Sequence, residues 1–308
     1  MRLGGFVIHG NNRPTLRRCL ESLAAVGDDC VAVDCGSTDG SAELARGRGF
    51  RRVMRRWEGF GAARAAAAEA LVGCDYLFFL DSDEWLEPRA IGALRTWKAS
   101  RPSAAYYALR RRDWAQLDGR RFLYRTEHHH IRLIRKDSAS WQRDMIVHEA
   151  LPPAPTVLLP ITLDHSFADS VETTRAKMER YSLLWAISNH RSARRVKPPA
   201  LQHLAHFLRE TLLKGAAFRG GVPALHLARV VADHHARRYA LLRAVRGGAY
   251  PELVQAFDEG RLVDLFRLLP GQAPRAAAPR SFPSRPLAPV RSVAHSPRLA
   301  SAGMRQPE

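Results

Sequence analysis

Cysteine is scarce in this chain. The four cysteines (Cys19, Cys30, Cys35, Cys74) are scattered and form no Cys-x-x-Cys pair. That excludes a disulfide-framed secreted scaffold and a paired-cysteine metal site, and it suits a reducing cytosol with each thiol as a small buried apolar residue. Long apolar runs are missing too: no stretch approaches the ~18 consecutive apolar residues that span a bilayer, so any membrane contact is expected to be peripheral. The amino terminus reads as a strand and lacks the basic-then-apolar layout of a secretory leader. Acidic residues are the third shortage. Thirty Asp+Glu stand against 48 Lys+Arg, a net charge of +18, which favours phosphorylated ligands, nucleic acid or an anionic membrane surface as partners. The last 38 residues hold six Arg and one Glu, so only +5 of that excess lies there.

What is present is a regular alternation. Leu3 to Ile8, Cys30 to Asp34, Phe50 to Met54 and Asp75 to Leu80 are short apolar runs that read as strands. Between them Thr15 to Ala25, Ser41 to Gly47 and an Ala-rich stretch from Gly59 to Val72 read as helices. A further helix follows Pro88. Repeated βα units of this size predict a parallel sheet covered by helices, with ligands at the carboxyl ends of the strands. Beyond residue 100 the pattern turns antiparallel, with strands expected over Ala104–Arg111, Phe122–Ile134 and Pro152–Leu163. We therefore expect an α/β catalytic domain over residues 1–169 (a Rossmann-like nucleotide half, 1–100, and an acceptor half, 101–169), then a basic helical extension over 170–268. The segment 269–308, rich in Pro, Arg, Ala and Ser, has too little apolar surface to offset its ordering entropy and is expected to be disordered.

Two segments carry candidate chemistry. Asp81-Ser82-Asp83-Glu84 directly follows the apolar run Tyr76–Leu80, so its acids stand at a strand tip. Hard divalent cations take oxygen ligands, typically one or two carboxylates together with substrate phosphate oxygens. The competing reading is a solvated acidic turn leading into the helix at Pro88. Asp34 ends the second strand and opens the turn Gly36-Ser37-Thr38-Asp39-Gly40. Asp34 can hydrogen-bond a base or ribose there, and Asp39 or Ser41 can equally serve as a helix cap.

Taken in order, these segments resemble family 2 glycosyltransferases of the GT-A fold. Trp57-Glu58-Gly59-Phe60-Gly61, Ile131-Arg132-Leu133-Ile134-Arg135, Val147-His148-Glu149 and Asp164-His165-Ser166-Phe167 narrow the resemblance to the subgroup that includes the β-1,4-glucosyltransferases of the lipopolysaccharide inner core. The likeness spans roughly residues 3 to 245. It implies an inverting transferase that moves a sugar, expected to be a UDP-linked hexose, to a glycan or lipid-linked acceptor on the cytoplasmic side of a membrane. By the same resemblance Asp34, Ser37, Asp39, Asp81 and Arg132 address the nucleotide-sugar. Asp83 and His165 hold a divalent metal, Mg²⁺ or Mn²⁺, and Glu149 is the general base. Arg132 and Arg135 are expected to add positive charge near the phosphates.

The chain departs from that pattern in two places, Ala62-Ala63-Arg64-Ala65 after the Gly-Phe-Gly segment and His9-Gly10-Asn11-Asn12 after the first strand. Both fall near the expected donor pocket. The run His128-His129-His130 invites a metal reading, but successive residues of a strand face opposite ways, so it reads as structural or acceptor-side. After Ser170, Leu201, Leu204, Phe207, Leu208, Thr211 and Leu212 recur at helical spacing beside Arg209 and Lys214. Such a helix either lies in an anionic membrane interface or packs on the catalytic domain. Two other functions remain in view: a basic nucleic-acid-binding protein, for which no recognition motif can be placed, and a glycosyltransferase-like scaffold without catalysis.

Overall fold

The structure, a computed structural model, describes residues 1–143, 146 and 151–269, with the backbone alone of His128. Four apolar runs make one half of its sheet: β1 (Leu3–His9), β2 (Asp29–Asp34), β3 (Arg51–Met54) and β4 (Tyr76–Asp81). They lie parallel in the order β3-β2-β1-β4, in a register that sets His9 against Asp34 and Ile8 against Asp81. Three carboxyl ends thus meet where the chain reverses its direction of travel across the sheet, the position at which open α/β sheets bind ligands. The central strands are apolar on both faces because both are covered. Leu16, Leu20 and Leu23 of α1 (Arg13–Ala24) and Leu94 of α4 (Pro88–Ala99) pack on one side with Val7, Phe78 and Leu80. On the other side α3 (Phe60–Ala70), following the short α2 (Ser41–Arg46), lays Ala63 and Ala67 against Phe6, Leu77 and Phe79. The four cysteines are free, and three of them are buried.

The second half of the sheet adds β5 (Glu84–Trp85), β6 (Tyr106–Leu117), β7 (Arg120–Arg135) and β8 (Thr156–Ala168), giving the order β3-β2-β1-β4-β7-β6-β8-β5. β7 runs antiparallel to both β4 and β6, and β8 lies parallel to β6. Two strands are longer than their apolar patterns suggest. β6 continues to Leu117 and turns into β7 at Asp118-Gly119, both with positive φ (51° and 73°), the backbone that a two-residue Asp-Gly hairpin demands. β8 starts later than expected and runs on through Asp164-His165-Ser166-Phe167, so that motif is strand rather than loop. Its buried partners Ile161 and Leu163 carry the alternation into His165.

The helical region is α5 (Val171–Ser188), α6 (Pro199–Leu208), a π turn (Arg209–Leu213), α7 (Ala216–Arg246, broken at Gly221), α8 (Pro251–Asp258) and α9 (Leu262–Leu268). Ser170 caps α5 by accepting the Thr173 amide at 3.0 Å. Trp57 packs on Phe60 and on Phe266 of α9. At the β6–β7 hairpin, Gly220 lets the backbone of α7 approach Phe122, whose ring a Cβ would meet at 2.3 Å. The expected disordered segment beyond Leu269 lies outside the described residues.

Candidate active site

Asp34, fully buried at the end of β2, accepts the amides of Gly36 (3.2 Å) and Ser37 (2.8 Å) on Oδ1. Its Oδ2 takes Nε (2.9 Å) and Nη2 of Arg52. Burial alone pushes this carboxyl up, but the Ser37 donors and the Arg52 guanidinium outweigh it and hold Asp34 below the usual carboxylate range. Ser37 joins the adjoining strand through His9 Nδ1, 3.0 Å away. Asp39 accepts the amides of Arg13 and Ser41, each at 3.0 Å; neither it nor Ser41 caps α2, whose N-cap position falls on Gly40 with no side-chain cap bond. Asn11, at φ 60°, takes the Thr38 amide on Oδ1 at 2.7 Å. The unusual His9-Gly10-Asn11-Asn12 segment therefore laces the loop after β1 to the loop after β2.

Asp81 ends β4 between two guanidinium groups. Arg64 Nη2 of α3 donates to Oδ1 at 3.1 Å, and Arg132 Nη2 of β7 donates to Oδ2 at 3.0 Å. Arg132 also donates to Glu84 through Nε (2.8 Å) and Nη2 (2.6 Å), and its guanidinium lies over the Phe79 ring. Burial raises the Asp81 carboxyl, and Arg132 and Arg64 more than compensate, leaving it below its ordinary value. The Ala62–Ala65 departure now has a physical content. The alanines let α3 lie close on the sheet, and Arg64 supplies a fixed charge to the first aspartate of the motif. Arg135 does not reach the site: it pairs with Asp137 at the far end of β7, opposite Tyr76 at the start of β4.

Asp83, in the turn between β4 and β5, and His165, on β8, converge. The antiparallel pairing of β5 with β8 sets Glu84 against His165, and the Asp83 carbonyl accepts the Ser166 amide at 2.9 Å. This brings Asp83 Oδ2 to 3.5 Å from His165 Nε2. The other imidazole nitrogen, Nδ1, lies 2.8 Å from Asp113 Oδ1 on β6. Asp113 is fully buried and is held in turn by Arg111 Nε (2.8 Å) and Arg125 Nε (2.6 Å). Lys177 Nζ of α5 stands 3.8 Å from Asp83 Oδ2. Burial lowers the His165 imidazole, but Asp83 and Asp113 overcome it and raise its pKa to about 9. Burial likewise raises the Asp83 and Asp113 carboxyls. His165 and Lys177 outweigh it at Asp83, and His165, Arg125 and Arg111 at Asp113, so both sit well below the carboxylate range.

The donor set fits a hard divalent cation. A carboxylate oxygen and an imidazole nitrogen face one another, and the imidazole is oriented by a second carboxylate, the arrangement that metal-binding histidines use. Among the described residues no group of three or more His, Cys, Asp or Glu is placed to hold a metal by itself. The described residues thus offer two ligands, and substrate phosphate oxygens and water are the usual source of others for Mg²⁺ at phosphate sites.

Sequence reasoning missed Asp113, Lys177, Arg64 and Glu84 as members of this cluster. Glu84 was in plain view beside Asp83. Asp113 is one residue of the basic run Arg110-Arg111-Arg112-Asp113 and gains meaning only across the sheet. Glu149, the expected base, lies outside the described residues. Trp85 faces away from the cluster onto Arg18 of α1, whose guanidinium is 3.6 Å from the ring centre. In the histidine run, His129 has φ 68°, at an irregularity in the β6–β7 register, and His130 Nε2 lies 3.4 Å from Glu127.

Comparison with known proteins bears on the same segment. The family model described as glycosyl transferase family 2 matches residues 6–146. The lipopolysaccharide core biosynthesis glycosyltransferase LpsC of Rhizobium meliloti (strain 1021) is 28% identical over 156 residues, 49% of this chain and 57% of its own length. An uncharacterized glycosyltransferase of Rickettsia bellii (strain RML369-C) is 27% identical over 85 residues, 28% of this chain and 29% of its own. The chain thus spans less than two thirds of the curated relatives it matches. Glucosyl-3-phosphoglycerate synthase of Mycobacterium tuberculosis, solved with Mn²⁺ and UDP-glucose, aligns over 36% of this chain and 44% of its own at 21% identity. Its TM-score is 0.31, a likeness too slight to carry an argument.

Proposed function

We propose that this chain, whose residues 6–146 match the glycosyl transferase family 2 model, transfers a sugar from a nucleotide-sugar, a UDP-linked hexose, to a hydroxyl of a lipopolysaccharide-core or other lipid-linked glycan, with inversion at the anomeric carbon. The observation that carries this reading is the meeting of Asp83 and His165 at the tip of β4, with Asp113 behind the imidazole. Two aspartates at a strand tip have a bland reading as a solvated turn. A buried histidine aimed at the second of them, and braced from behind, does not.

Asp83 Oδ2 and His165 Nε2 would hold Mg²⁺ or Mn²⁺, which when bound neutralises charge on the departing diphosphate. The residues of the chain do the rest. Asp34, at the end of β2, and Ser37 and Asp39, in the loop that follows it, line the nucleoside side. Arg132 and Arg64 hold Asp81 ionised and in place beside the phosphates. Glu149 takes the proton of the acceptor hydroxyl as that oxygen bonds to the anomeric carbon. The bond from the same carbon to the diphosphate oxygen breaks on the opposite face, which inverts the centre. An acceptor of this class is presented at a membrane surface, so the enzyme works as a peripheral protein at the cytoplasmic face.

Release of nucleoside diphosphate from a panel of nucleotide-sugars, with and without Mn²⁺, tests the reading. Metal-dependent turnover of one donor, lost in Asp83→Ala, is the expected result. An Asp83→Ala protein that turns over donor as well in chelator as the parent does in Mn²⁺ would sink the mechanism.

A further inference from the structure

The leucine pattern of α6 allows two uses, packing inward or facing out, and the structure separates them. Leu201 is 62% exposed, Leu204 53%, Leu208 45% and Leu212 56%. None of the ten residues of α6 is buried. The inward face is polar and aromatic: His203 pairs with Asp233 of α7 at 3.0 Å, and the His206 ring stacks on His235 at 3.5 Å. The helix therefore packs on α7 with its less apolar face and turns its leucines to solvent, the reverse of a helix that buries its stripe in a core.

The π turn strengthens the pattern. Its i to i+5 bond, Lys214 N–H to the Arg209 carbonyl at 2.9 Å, widens the turn and leaves two successive leucines outside, Leu213 being 84% exposed. Beyond the left-handed Gly215, Phe218 is 81% exposed and Val222 63%. An apolar surface of this extent on one segment marks an interaction site.

The charge around it selects the partner. Between residues 190 and 230 the chain has one carboxylate, Glu210. It is buried against Arg125 (3.2 Å) and Lys214 (3.1 Å). Arg194, Arg195, Lys197, Arg209 and Arg219 are exposed in the same stretch. Exposed leucine and phenylalanine on a stretch whose own exposed charges are all basic, with the neighbouring Asp233 paired to His203 and Arg175, match a lipid interface with anionic headgroups. No helix among the described residues is long and apolar enough to cross a membrane.

We propose that the segment Leu201–Val222 is an interfacial anchor that seats its leucines and Phe218 in the surface of an anionic phospholipid bilayer. Arg125 joins this anchor to the candidate active site, with Nε on Asp113 and Nη1 on Glu210. Docking thus holds the Asp113 and His165 side of the sheet beside the lipid surface.

Co-sedimentation of the full chain with vesicles tests this. Vesicles of equal parts phosphatidylglycerol and phosphatidylcholine should bind the protein, and vesicles of phosphatidylcholine alone should bind it far less. The double variant Leu213→Asp, Phe218→Asp should lower partition to the anionic vesicles by roughly tenfold or more, with an unchanged melting temperature because both side chains are exposed. Arg194→Ala with Arg195→Ala should weaken binding at low salt and have little effect at high salt. Donor turnover with soluble components should be unchanged in the double variant, which separates this proposal from the transfer reading. Undiminished vesicle binding by the double variant would overturn the anchor. So would a parent protein that ignores vesicles and sediments as a dimer that Leu213→Asp dissociates, since a second copy would then cover the face.

Discussion

Asp113 Oδ1 and His165 Nδ1 lie 2.8 Å apart, joining residues 52 positions apart in sequence, and this bond decides which imidazole nitrogen faces Asp83. The pairing is buried and ionic, with Arg111 and Arg125 behind Asp113. Orienting partners of metal-ligating histidines typically contribute 10–100-fold in metal affinity. Asp113→Asn should therefore raise the Mn²⁺ concentration for half-maximal activity by roughly that factor, with a much smaller change in kcat at saturating metal. A Mn²⁺ titration of turnover reads both.

Without metal, His165 holds a proton up to about pH 9. A cation on Nε2 must displace that proton, so metal binding releases it. Apparent Mn²⁺ affinity, measured in the presence of UDP, should rise by up to about tenfold per pH unit between pH 6 and 8, because one proton is exchanged. His165→Gln should bind weakly and show no such slope.

Lys177 supplies the nearest lysine charge to Asp83, at 3.8 Å. It opposes a bare cation and favours an anionic diphosphate. Lys177→Met should tighten binding of Mn²⁺ alone and weaken binding of UDP, each by about 1 kcal/mol, the size of a unit-charge interaction near 4 Å in high dielectric. Isothermal titration calorimetry with each ligand separately tests the opposed signs.

The stacked imidazoles of His206 and His235 make stability depend on pH. Burial, then the neighbouring His206 and Arg238, push His235 down to about 2, and burial with Arg238 lowers His206 as well. A histidine lowered on folding binds protons in the unfolded chain first, so stability falls as pH drops below the unfolded value near 6.5 and stops falling only below the folded one. At pH 5.5 His235 alone should cost about 1.4 kcal/mol relative to neutral pH. His235→Phe keeps the stack and removes the titration, so its melting temperature should fall less between pH 7.5 and 5.5 than that of the parent.

How much of this was legible in the sequence follows from how each residue signals its place. β1, β2 and β4 are buried on both faces, so Phe6-Val7-Ile8 and Leu77-Phe78-Phe79-Leu80 read as continuous apolar runs, and Asp34 and Asp81 stand out where the runs stop. β6 is different. Arg110, Arg111, Arg112 and Asp113 look like a solvated charge run, yet Arg111 and Asp113 lie inside, neutralising one another and Glu84. The arginine excess points to anionic partners when the sequence is taken alone. Part of it is internal, in Arg64, Arg111, Arg125 and Arg132, all largely buried on carboxylates. Lys177 sits on α5 in Arg-Ala-Lys-Met-Glu-Arg, which has no local feature to mark it. Only the β5–β8 pairing, a contact between residues about 80 positions apart, brings α5 over Asp83. The leucines of α6 were legible as a stripe, but which way the stripe faced was not, since periodicity gives a face and not its direction.

The most direct test of the site is the binding of UDP by calorimetry to the parent protein and to Asp83→Ala, each with Mn²⁺ and with chelator. A metal–diphosphate site at Asp83 and His165 predicts that chelator weakens UDP binding to the parent by tenfold or more, and that Asp83→Ala binds UDP equally weakly in both conditions (about 1.4 kcal/mol per tenfold). UDP binding to the parent that is indifferent to chelator, or a metal enhancement that survives in Asp83→Ala, would contradict it.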